Sequence, residues 1–214
     1  MRPDRDPWTV LVPVKRLEQA KTRLGLDDRT RVRLALAMVE DTVRAALAAD
    51  AVAEVVVITS DHTAERVLAG AGARVIEDRP DAGLNPALAY GASAVPAGSV
   101  AALSGDLPAL RADQLDDALN RAAVHASAVV SDIDGTGTTL LTGRTVADFT
   151  PAFGPGSRAQ HLASGAVDLT DEAAPALRND VDTTAALDAA LVLGVGPRTA
   201  AVLNDLASSR GGRR

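Results

Sequence analysis

Short apolar runs alternate with stretches of helical periodicity along the first half of the chain. The apolar runs cover residues 9–14, 54–59, 73–77 and 100–103. Runs of this length are typical of strands buried on both faces, as in parallel sheets. After the first run, apolar residues recur at positions 32, 36, 39, 43 and 47, which predicts a helix that begins at Asp27 or Asp28 and buries one face. The alternation predicts a doubly wound, mostly parallel α/β sheet.

The second half of the chain has a weaker pattern. Residues 127–130 and 138–141 predict two strands around a tight turn at 134–137, and a glycine-rich loop at 153–157 precedes a predicted helix from Arg158. Further helices are predicted over residues 62–70, 86–95, 184–193 and 198–206. Neither an internal repeat nor a linker divides the sequence, so we predict one domain over residues 1–214, with a core from about 9 to 207.

Composition narrows the classes of function. The 214 residues suit one α/β domain, and because only 2% are aromatic, the core must consist of Ala, Val and Leu. A net charge of −6 argues against nucleic-acid binding, which needs a basic surface. Without cysteine, a metal would bind oxygen or imidazole, and carboxylates suit Mg²⁺ or Mn²⁺. The sequence has no leader-like segment or long apolar run, so we expect a cytoplasmic protein without membrane contact; its oligomeric state is left open.

The most informative motif lies at residues 103–108, where an apolar run leads into Ser104-Gly105-Asp106. Open α/β sheets bind ligands at the carboxyl ends of their strands, which is where Asp106 is expected. A carboxylate there is costly to bury unless it is paired, and a divalent cation on a nucleotide phosphate would pair it. The alternative is that Asp106 caps the following turn or helix.

Three cations follow the first predicted strand. Lys15, Lys21 and Arg23 fall where a triphosphate would lie in this architecture, and cations there neutralise the charge on a leaving pyrophosphate. The alternative is a solvated basic loop before an acidic helix start. Neither a P-loop nor a dinucleotide-binding fingerprint follows the strand.

Two other segments have the residue types of a ligand site. Gly83 allows a close backbone approach, and the amide of Asn85 can read a base or ribose, unless Asn85 only caps the next helix. Thr139, Gly154 and Ser157 offer hydroxyl and N–H groups near a helix start, which suits an anion such as a carboxylate. Ordinary turn chemistry is the alternative for these three.

More carboxylates could hold a metal. Asp180 and Asp182 lie on one side of an extended segment and, with Asp106, could bind one or two Mg²⁺ ions, unless Asp182 only caps the next helix. Asp132-Ile133-Asp134 resembles the metal motif of sugar-nucleotide glycosyltransferases, although it runs into a tight turn. Of the histidines, His62 and His125 are expected at the surface, and only His161, in the helix after the glycine-rich loop, is placed where it could approach the site.

Six segments, in order, resemble the motifs of the CofC/FbiD guanylyltransferases. The segments are 13–25 (Pro-Val-Lys through Ala-Lys-Thr-Arg-Leu-Gly), Gly-Leu-Asn at 83–85, Ser-Gly-Asp-Leu-Pro at 104–108, Asp-Gly-Thr-Gly-Thr-Thr at 134–139, Phe-Gly-Pro-Gly-Ser at 153–157 and Asn-Asp-Val-Asp-Thr at 179–183. The resemblance covers about Val10 to Leu193. One departure is Asp182-Thr183-Thr184, where the broader superfamily often has Asp-Thr-Pro.

The resemblance implies a fold, a reaction and roles. The fold is a three-layer α/β/α Rossmann-like, GT-A-like nucleotidyltransferase sandwich. The reaction joins GMP from GTP to phosphoenolpyruvate or 2-phospho-L-lactate, releases pyrophosphate and serves coenzyme F420 biosynthesis. The Ala-, Arg- and Asp-rich, Lys-poor composition resembles the actinobacterial branch of the family, whose acceptor is phosphoenolpyruvate. Lys15, Lys21 and Arg23 would hold the triphosphate, and Asp106 with Asp180 or Asp182 would hold Mg²⁺. The alternatives are another nucleotidyltransferase or glycosyltransferase of this architecture, or a non-catalytic nucleotide-binding domain.

Overall fold

One seven-stranded sheet runs through the part of the chain that the computed structural model describes, residues 7–79, 81–95 and 98–211. Its strands, in the spatial order β3-β2-β1-β4-β6-β5-β7, are β1 (Trp8–Pro13), β2 (Val52–Ile58), β3 (Arg74–Ile76), β4 (Ser99–Leu103), β5 (Ser127–Val130), β6 (Leu140–Gly143) and β7 (Val167–Asp168). Only β6 runs against its neighbours, since β4 and β5 both pair with it in antiparallel register. The predicted mostly parallel sheet is therefore confirmed.

Helices cover both faces of the sheet. They are α1 (Asp28–Leu47), α2 (His62–Ala71), α3 (Leu84–Ser93), α4 (Ala112–Ala122), α5 (Ser157–Ala163), α6 (Pro175–Arg178), α7 (Thr184–Leu193) and α8 (Pro197–Gly211). Successive strand residues point to opposite faces. Val10 and Val12 pack into one core cluster with α1, α2 and α4, whereas Leu11 packs into another with α3. This division is the three-layer α/β/α arrangement that the family resemblance implied.

A third, smaller apolar cluster joins segments that are distant in sequence. Leu24 follows the basic loop, Val181 lies between Asp180 and Asp182, and both pack with Leu34 and Met38 of α1 and with α7. Burying these side chains holds the basic loop and the acidic segment against the same helix. The cluster therefore fixes the relative position of two candidate ligand-binding segments.

The predicted elements are confirmed with shifted ends. The helix expected from residue 86 begins at Leu84, because Gly83 is its N-cap and Pro86 sits in its first turn, where a missing N–H costs no hydrogen bond. Asp27 caps α1 through the backbone N–H of Thr30. The strand expected over 138–141 begins only at Leu140. Helix α4 was not predicted.

Helix α8 is docked by a buried carboxylate. Asp41 of α1 is 5% exposed and accepts hydrogen bonds from the backbone N–H groups of Arg198 (3.1 Å) and Thr199 (2.8 Å) at the start of α8. Among the described residues, no single helix is long and apolar enough to cross a membrane. Helices α7 and α8 meet that test only as a pair, and they are bent by 118° relative to each other.

Candidate active site

A groove of about 400 Å³ opens at the carboxyl ends of β1 and β4. Lys15, Lys21 and Arg23 line it from the loop after β1, and Asp106 and Asp182 line it from the opposite side. The structure therefore brings together five of the residues that the sequence predicted to bind nucleotide or metal. The position is the strand-end crevice that binds ligands in open α/β sheets.

Lys21 is the centre of the groove. Its ammonium donates a hydrogen bond to Asp182 Oδ1 at 2.8 Å and another to Asp106 Oδ2, and its side chain is only 9% exposed. The residue adopts a left-handed backbone conformation, with φ at 58°, which is uncommon outside glycine and costs about 1–2 kcal/mol. The two charged partners offset that cost, so the loop presents the ammonium between the carboxylates.

Two polar residues, one buried and one partly exposed, hold the loop that carries Lys21. Arg31 of α1 is 6% exposed, and its guanidinium donates to the backbone carbonyls of Leu17 and Ala20. Asp61 accepts from the N–H of Leu17 at 2.9 Å while its other oxygen caps α2. Sequence reasoning missed both. The available signals were an arginine on the buried face of α1 and an Asp directly after β2.

We expect Arg31→Met to lower both stability and turnover. The carbonyls of Leu17 and Ala20 lose their buried donor, which costs about 1–3 kcal/mol, and the loop no longer fixes Lys21. Chemical denaturation and steady-state kinetics measure the two effects. Arg33→Met is the matched control, because Arg33 lies on the exposed face of the same helix and pairs with Asp205. Equal kinetics in the two variants would contradict the positioning role of Arg31.

The acidic side of the groove is held by backbone bonds. The N–H of Val181 donates to the carbonyl of Asp106 at 3.0 Å, which ties the 180–182 segment to the end of β4. The N–H of Leu107 donates to the buried hydroxyl of Thr42 at 3.1 Å. Thr183, rather than Asp182, caps α7 through the N–H of Ala186. The carboxylate of Asp182 is therefore left for Lys21.

The carboxylates in this region repel one another electrostatically. The pKa of Asp180 is raised to about 7 because the group is largely buried and faces Asp106, Asp182 and Asp132. Burial also acts to raise the pKa of Asp182, but Lys21, Arg23 and Lys15 outweigh it, and the net shift is downward. Negative charge therefore concentrates around Asp180, while Asp182 is stabilised as an anion by the basic loop.

This charge pattern bears on the predicted metal site. In the described ranges, no three carboxylate or imidazole groups lie close enough together to form a ready-made metal site. Lys21 pairs with two of the three candidate carboxylates, Asp106 and Asp182. The donors nevertheless suit a hard cation, because all are carboxylate oxygens and the uncompensated charge at Asp180 would be relieved by one. Metal binding by these three residues stays a prediction.

A second groove, of about 310 Å³, adjoins the first. The two share a wall that includes Val14, Lys15 and Leu84, and the second extends across the ends of β2 and β3. Gly83 lines it with φ at 106°, a conformation that favours glycine. The close approach of a ligand to the backbone at Gly83 stays a prediction.

The amide of Asn85 has a different position from the one expected. It is neither the cap of α3 nor a lining residue of the second groove. Its Nδ2 donates to the carbonyl of Phe153 at 3.0 Å, and its Oδ1 accepts from the N–H of Phe153 at 2.7 Å. Asn85 thus fixes the start of the glycine-rich loop, and direct base recognition by this side chain is not supported by the geometry.

Two predicted contacts to an anionic substrate are also corrected. Thr139 is 1% exposed and its hydroxyl faces the carbonyl of Val130, while Ser157 is 1% exposed and donates to the hydroxyl of Thr138 at 3.0 Å. Both hydroxyls therefore face the interior and are bonded within the protein. Gly154, in contrast, is exposed with φ at 135°.

The Asp132 carboxylate and His161 serve the structure around this loop. Asp132 accepts from the N–H groups of Thr136 (2.9 Å) and Gly137 (2.8 Å), which confirms the tight turn and not a free metal ligand. His161 is buried; its Nε2 accepts from the N–H of Ala152 at 2.9 Å, so Nδ1 carries the proton toward Thr138. It lines neither of the two grooves at the strand ends.

We expect His161 to make the fold sensitive to acid. Burial lowers the pKa of its imidazole below the ordinary 6.5, so the folded state resists protonation more than the unfolded chain does. The contribution of His161 to stability is full above about pH 6.5 and falls as the pH drops below it, by up to about 1.4 kcal/mol per pH unit. Melting temperatures between pH 8 and 5.5 measure the slope. His161→Gln should flatten it, whereas His62→Gln, at an exposed site, should not.

Comparison with known proteins agrees with this geometry. A family model described as guanylyl transferase CofC like matches residues 8–205. Curated relatives named phosphoenolpyruvate guanylyltransferase include one from Thermomonospora curvata, 52% identical over 91% of this chain and 88% of the relative. Another, from Streptomyces coelicolor, is 53% identical over 91% of this chain and 95% of the relative.

Solved structures share the fold at lower identity. A nucleotidyl transferase from Methanothermobacter superposes with a TM-score of 0.60 at 20% identity, covering 87% of this chain and 98% of that one. A CMP:2-keto-3-deoxy-manno-octonic acid synthetase gives 0.57 at 16% identity, with the same two coverages. The family match spans both sides of the groove, and the relatives are about half identical along most of their length. The chain therefore belongs to the CofC-like guanylyl transferase family.

Proposed function

We propose that this protein transfers GMP from GTP to phosphoenolpyruvate, releasing pyrophosphate, in coenzyme F420 biosynthesis. The observation that carries the proposal is the groove in which Lys21 bridges Asp106 and Asp182, in a chain whose curated relatives are named phosphoenolpyruvate guanylyltransferase. A cationic loop facing carboxylates across a strand-end crevice suits a nucleoside triphosphate with an associated cation.

The basic loop would bind the triphosphate. Lys15 and Arg23 lie close enough to Asp182 to lower its pKa, so the positive charge of the loop already acts inside the groove. When the bond to the α-phosphorus breaks, negative charge grows on the departing pyrophosphate, and fixed cations stabilise it. The attacking phosphate of the acceptor is already an anion, so a general base is not required.

Asp106, Asp180 and Asp182 would hold Mg²⁺, which supplies charge neutralisation on the phosphates when bound. The bridging ammonium of Lys21 must leave at least one carboxylate for this to happen. Its long, flexible side chain can then turn toward the triphosphate. Lys21 would therefore exchange a carboxylate for the triphosphate as its partner.

The acceptor would approach from the side of the glycine-rich loop. Gly154 is exposed there, and Asn85 anchors the loop through Phe153. Thr139 and Ser157 are buried, so they would support the glycine-rich loop and would not contact the carboxylate of the acceptor with their hydroxyls. The names of the relatives favour phosphoenolpyruvate over 2-phospho-L-lactate as the acid.

Pyrophosphate release from each of GTP, ATP, CTP and UTP, with each candidate acceptor, tests the proposal. We expect release with GTP and phosphoenolpyruvate, slower release with 2-phospho-L-lactate, and little with the other nucleotides. Release with a sugar phosphate but with neither acid would favour another nucleotidyltransferase. Binding without release under any combination would favour a non-catalytic nucleotide-binding protein.

A further inference from the structure

The second groove contains a carboxylate whose charge is incompletely satisfied. Asp78 follows β3, lines this groove, and is held in place by a backbone hydrogen bond to the carbonyl of Thr59 at 3.3 Å. Its Oδ1 is shielded from solvent and accepts no hydrogen bond from any residue that the structure describes. Buried polar atoms in native proteins almost always have a partner. An orphaned acceptor in a groove wall therefore points to a ligand that supplies donors.

The position of the groove indicates which part of a nucleotide would lie there. The first groove, with its cations and carboxylates, lies across β1 and β4, and the second extends over β2 and β3. Three strand spacings, about 14 Å, separate β4 from β3. With the phosphates beside Lys21, the base of the same nucleotide would extend past Val14 and Lys15 toward Asp78.

We propose that Asp78 is the residue that selects guanine, by accepting hydrogen bonds from N1–H and the 2-amino group of the base. The inference rests on the proposed function in taking a nucleoside triphosphate as donor. An ionised carboxylate offers two acceptor oxygens and no donor. Rotation about the last torsion of an Asp side chain is broad, so the shielded Oδ1 can turn to meet a bound base.

The chemistry of the bases makes such a carboxylate selective. On its pairing edge guanine presents two adjacent donors. Adenine and cytosine each present an acceptor beside their amino group, and uracil presents one N–H between two carbonyls. An acceptor facing a carboxylate is repelled, and a missing donor leaves buried polar atoms unpaired. Asp78 therefore favours guanine over all three.

Other residues in this groove are less suited to the role. Asp81 is exposed and lies 3.8 Å from the guanidinium of Arg16. Burial and the nearby charge of Asp81 raise the pKa of Asp78, and a hydrogen bond from the backbone of Asp81 offsets this only in part. Donors from a ligand to the unpartnered Oδ1 would stabilise the ionised form further. The amide of Asn85, which the sequence suggested as the base reader, is bonded to Phe153. Asp78 is the carboxylate in this groove that has a buried oxygen without a hydrogen-bond donor.

Nucleotide analogues test the proposal with the wild-type protein. ITP lacks the 2-amino group and keeps N1–H, so we expect its kcat/KM to be about 10- to 100-fold below that of GTP. XTP replaces the 2-amino group by a carbonyl and should be used still less well. Equal use of GTP and ITP would overturn the role of Asp78 while leaving guanylyl transfer intact.

Asp78→Asn inverts the expected preference. Its Oδ1 still accepts from N1–H, while its amino group now donates to the 2-carbonyl of XTP and opposes the 2-amino group of GTP. We expect kcat/KM for GTP to fall about 100-fold and XTP to become the better substrate. Glu77→Gln is the matched control, since Glu77 is the preceding carboxylate, exposed and paired with Arg79, and should keep the GTP preference.

Calorimetric binding of GTP and XTP separates this inference from the proposed function. A preference that inverts in Asp78→Asn supports guanine selection by Asp78 even if no acceptor is turned over. A folded Asp78→Asn protein that still prefers GTP to XTP by the wild-type ratio overturns it, whatever the activity.

Discussion

Asp106→Asn is expected to abolish guanylyl transfer, with kcat/KM lowered at least about 1,000-fold. The amide keeps the shape of the side chain but loses the charge that holds Lys21 and would hold Mg²⁺. The main chain at this position is fixed independently, because the carbonyl of Asp106 accepts from Val181 and the next N–H is bonded to Thr42. The variant should therefore remain folded, which its melting temperature checks.

Asp117→Asn is the control for this experiment. Asp117 is an exposed carboxylate on α4 that pairs with Arg121, and its loss should change neither activity nor melting temperature measurably. If folded Asp106→Asn retains activity near that of the wild type at limiting Mg²⁺, the Asp106 carboxylate only holds Lys21 in place and the assigned metal site is wrong.

Lys21→Met is expected to change catalysis and metal binding in opposite directions. Turnover should fall about 100- to 1,000-fold, because a cation that would stabilise the pyrophosphate is lost. Affinity for Mn²⁺ in the absence of nucleotide should rise, because Asp106 and Asp182 lose the ammonium that neutralises them. Calorimetric titration with Mn²⁺ measures the second effect without any dependence on activity.

Lys15→Met is the control for the two ion pairs of Lys21. Lys15 lines the same groove but is exposed, and no ion pair to a carboxylate is seen for it in the described residues; it acts on Asp182 only from a distance. Lys15→Met should lower turnover with a much smaller gain in Mn²⁺ affinity than Lys21→Met. Unchanged or weaker Mn²⁺ binding in Lys21→Met would show that the ammonium does not compete with metal for these carboxylates.

The sequence predicted the main parts of the groove because they depend on local pattern and topology. Apolar runs locate the strands, and residues after the carboxyl ends of parallel strands meet at one edge of the sheet. That argument brings Asp106 and the loop of Lys21 together, as the structure confirms. Helix α4 was not predicted, although Leu115, Leu119 and Ala122 recur at helical spacing.

The partners of individual polar side chains could not be predicted in the same way. Asn85 bonds to a residue 68 positions away, and Arg31 holds carbonyls of a loop in another segment. Such contacts depend on how the layers pack, which no local pattern encodes. Ser157 shows the same limit, since its motif identifies a hydroxyl but not that the hydroxyl points inward to Thr138.

The most direct test of the central claim follows the phosphate oxygens of the acceptor. Phosphoenolpyruvate labelled with ¹⁸O at its non-ester phosphate oxygens is incubated with GTP, Mg²⁺ and the wild-type protein. The masses of the products are then determined by mass spectrometry. Attack of the acceptor phosphate on the α-phosphorus predicts a GMP–phosphoenolpyruvate adduct that keeps all of the label, and unlabelled pyrophosphate. Label in the pyrophosphate, or pyrophosphate without an adduct, would contradict the proposed guanylyl transfer.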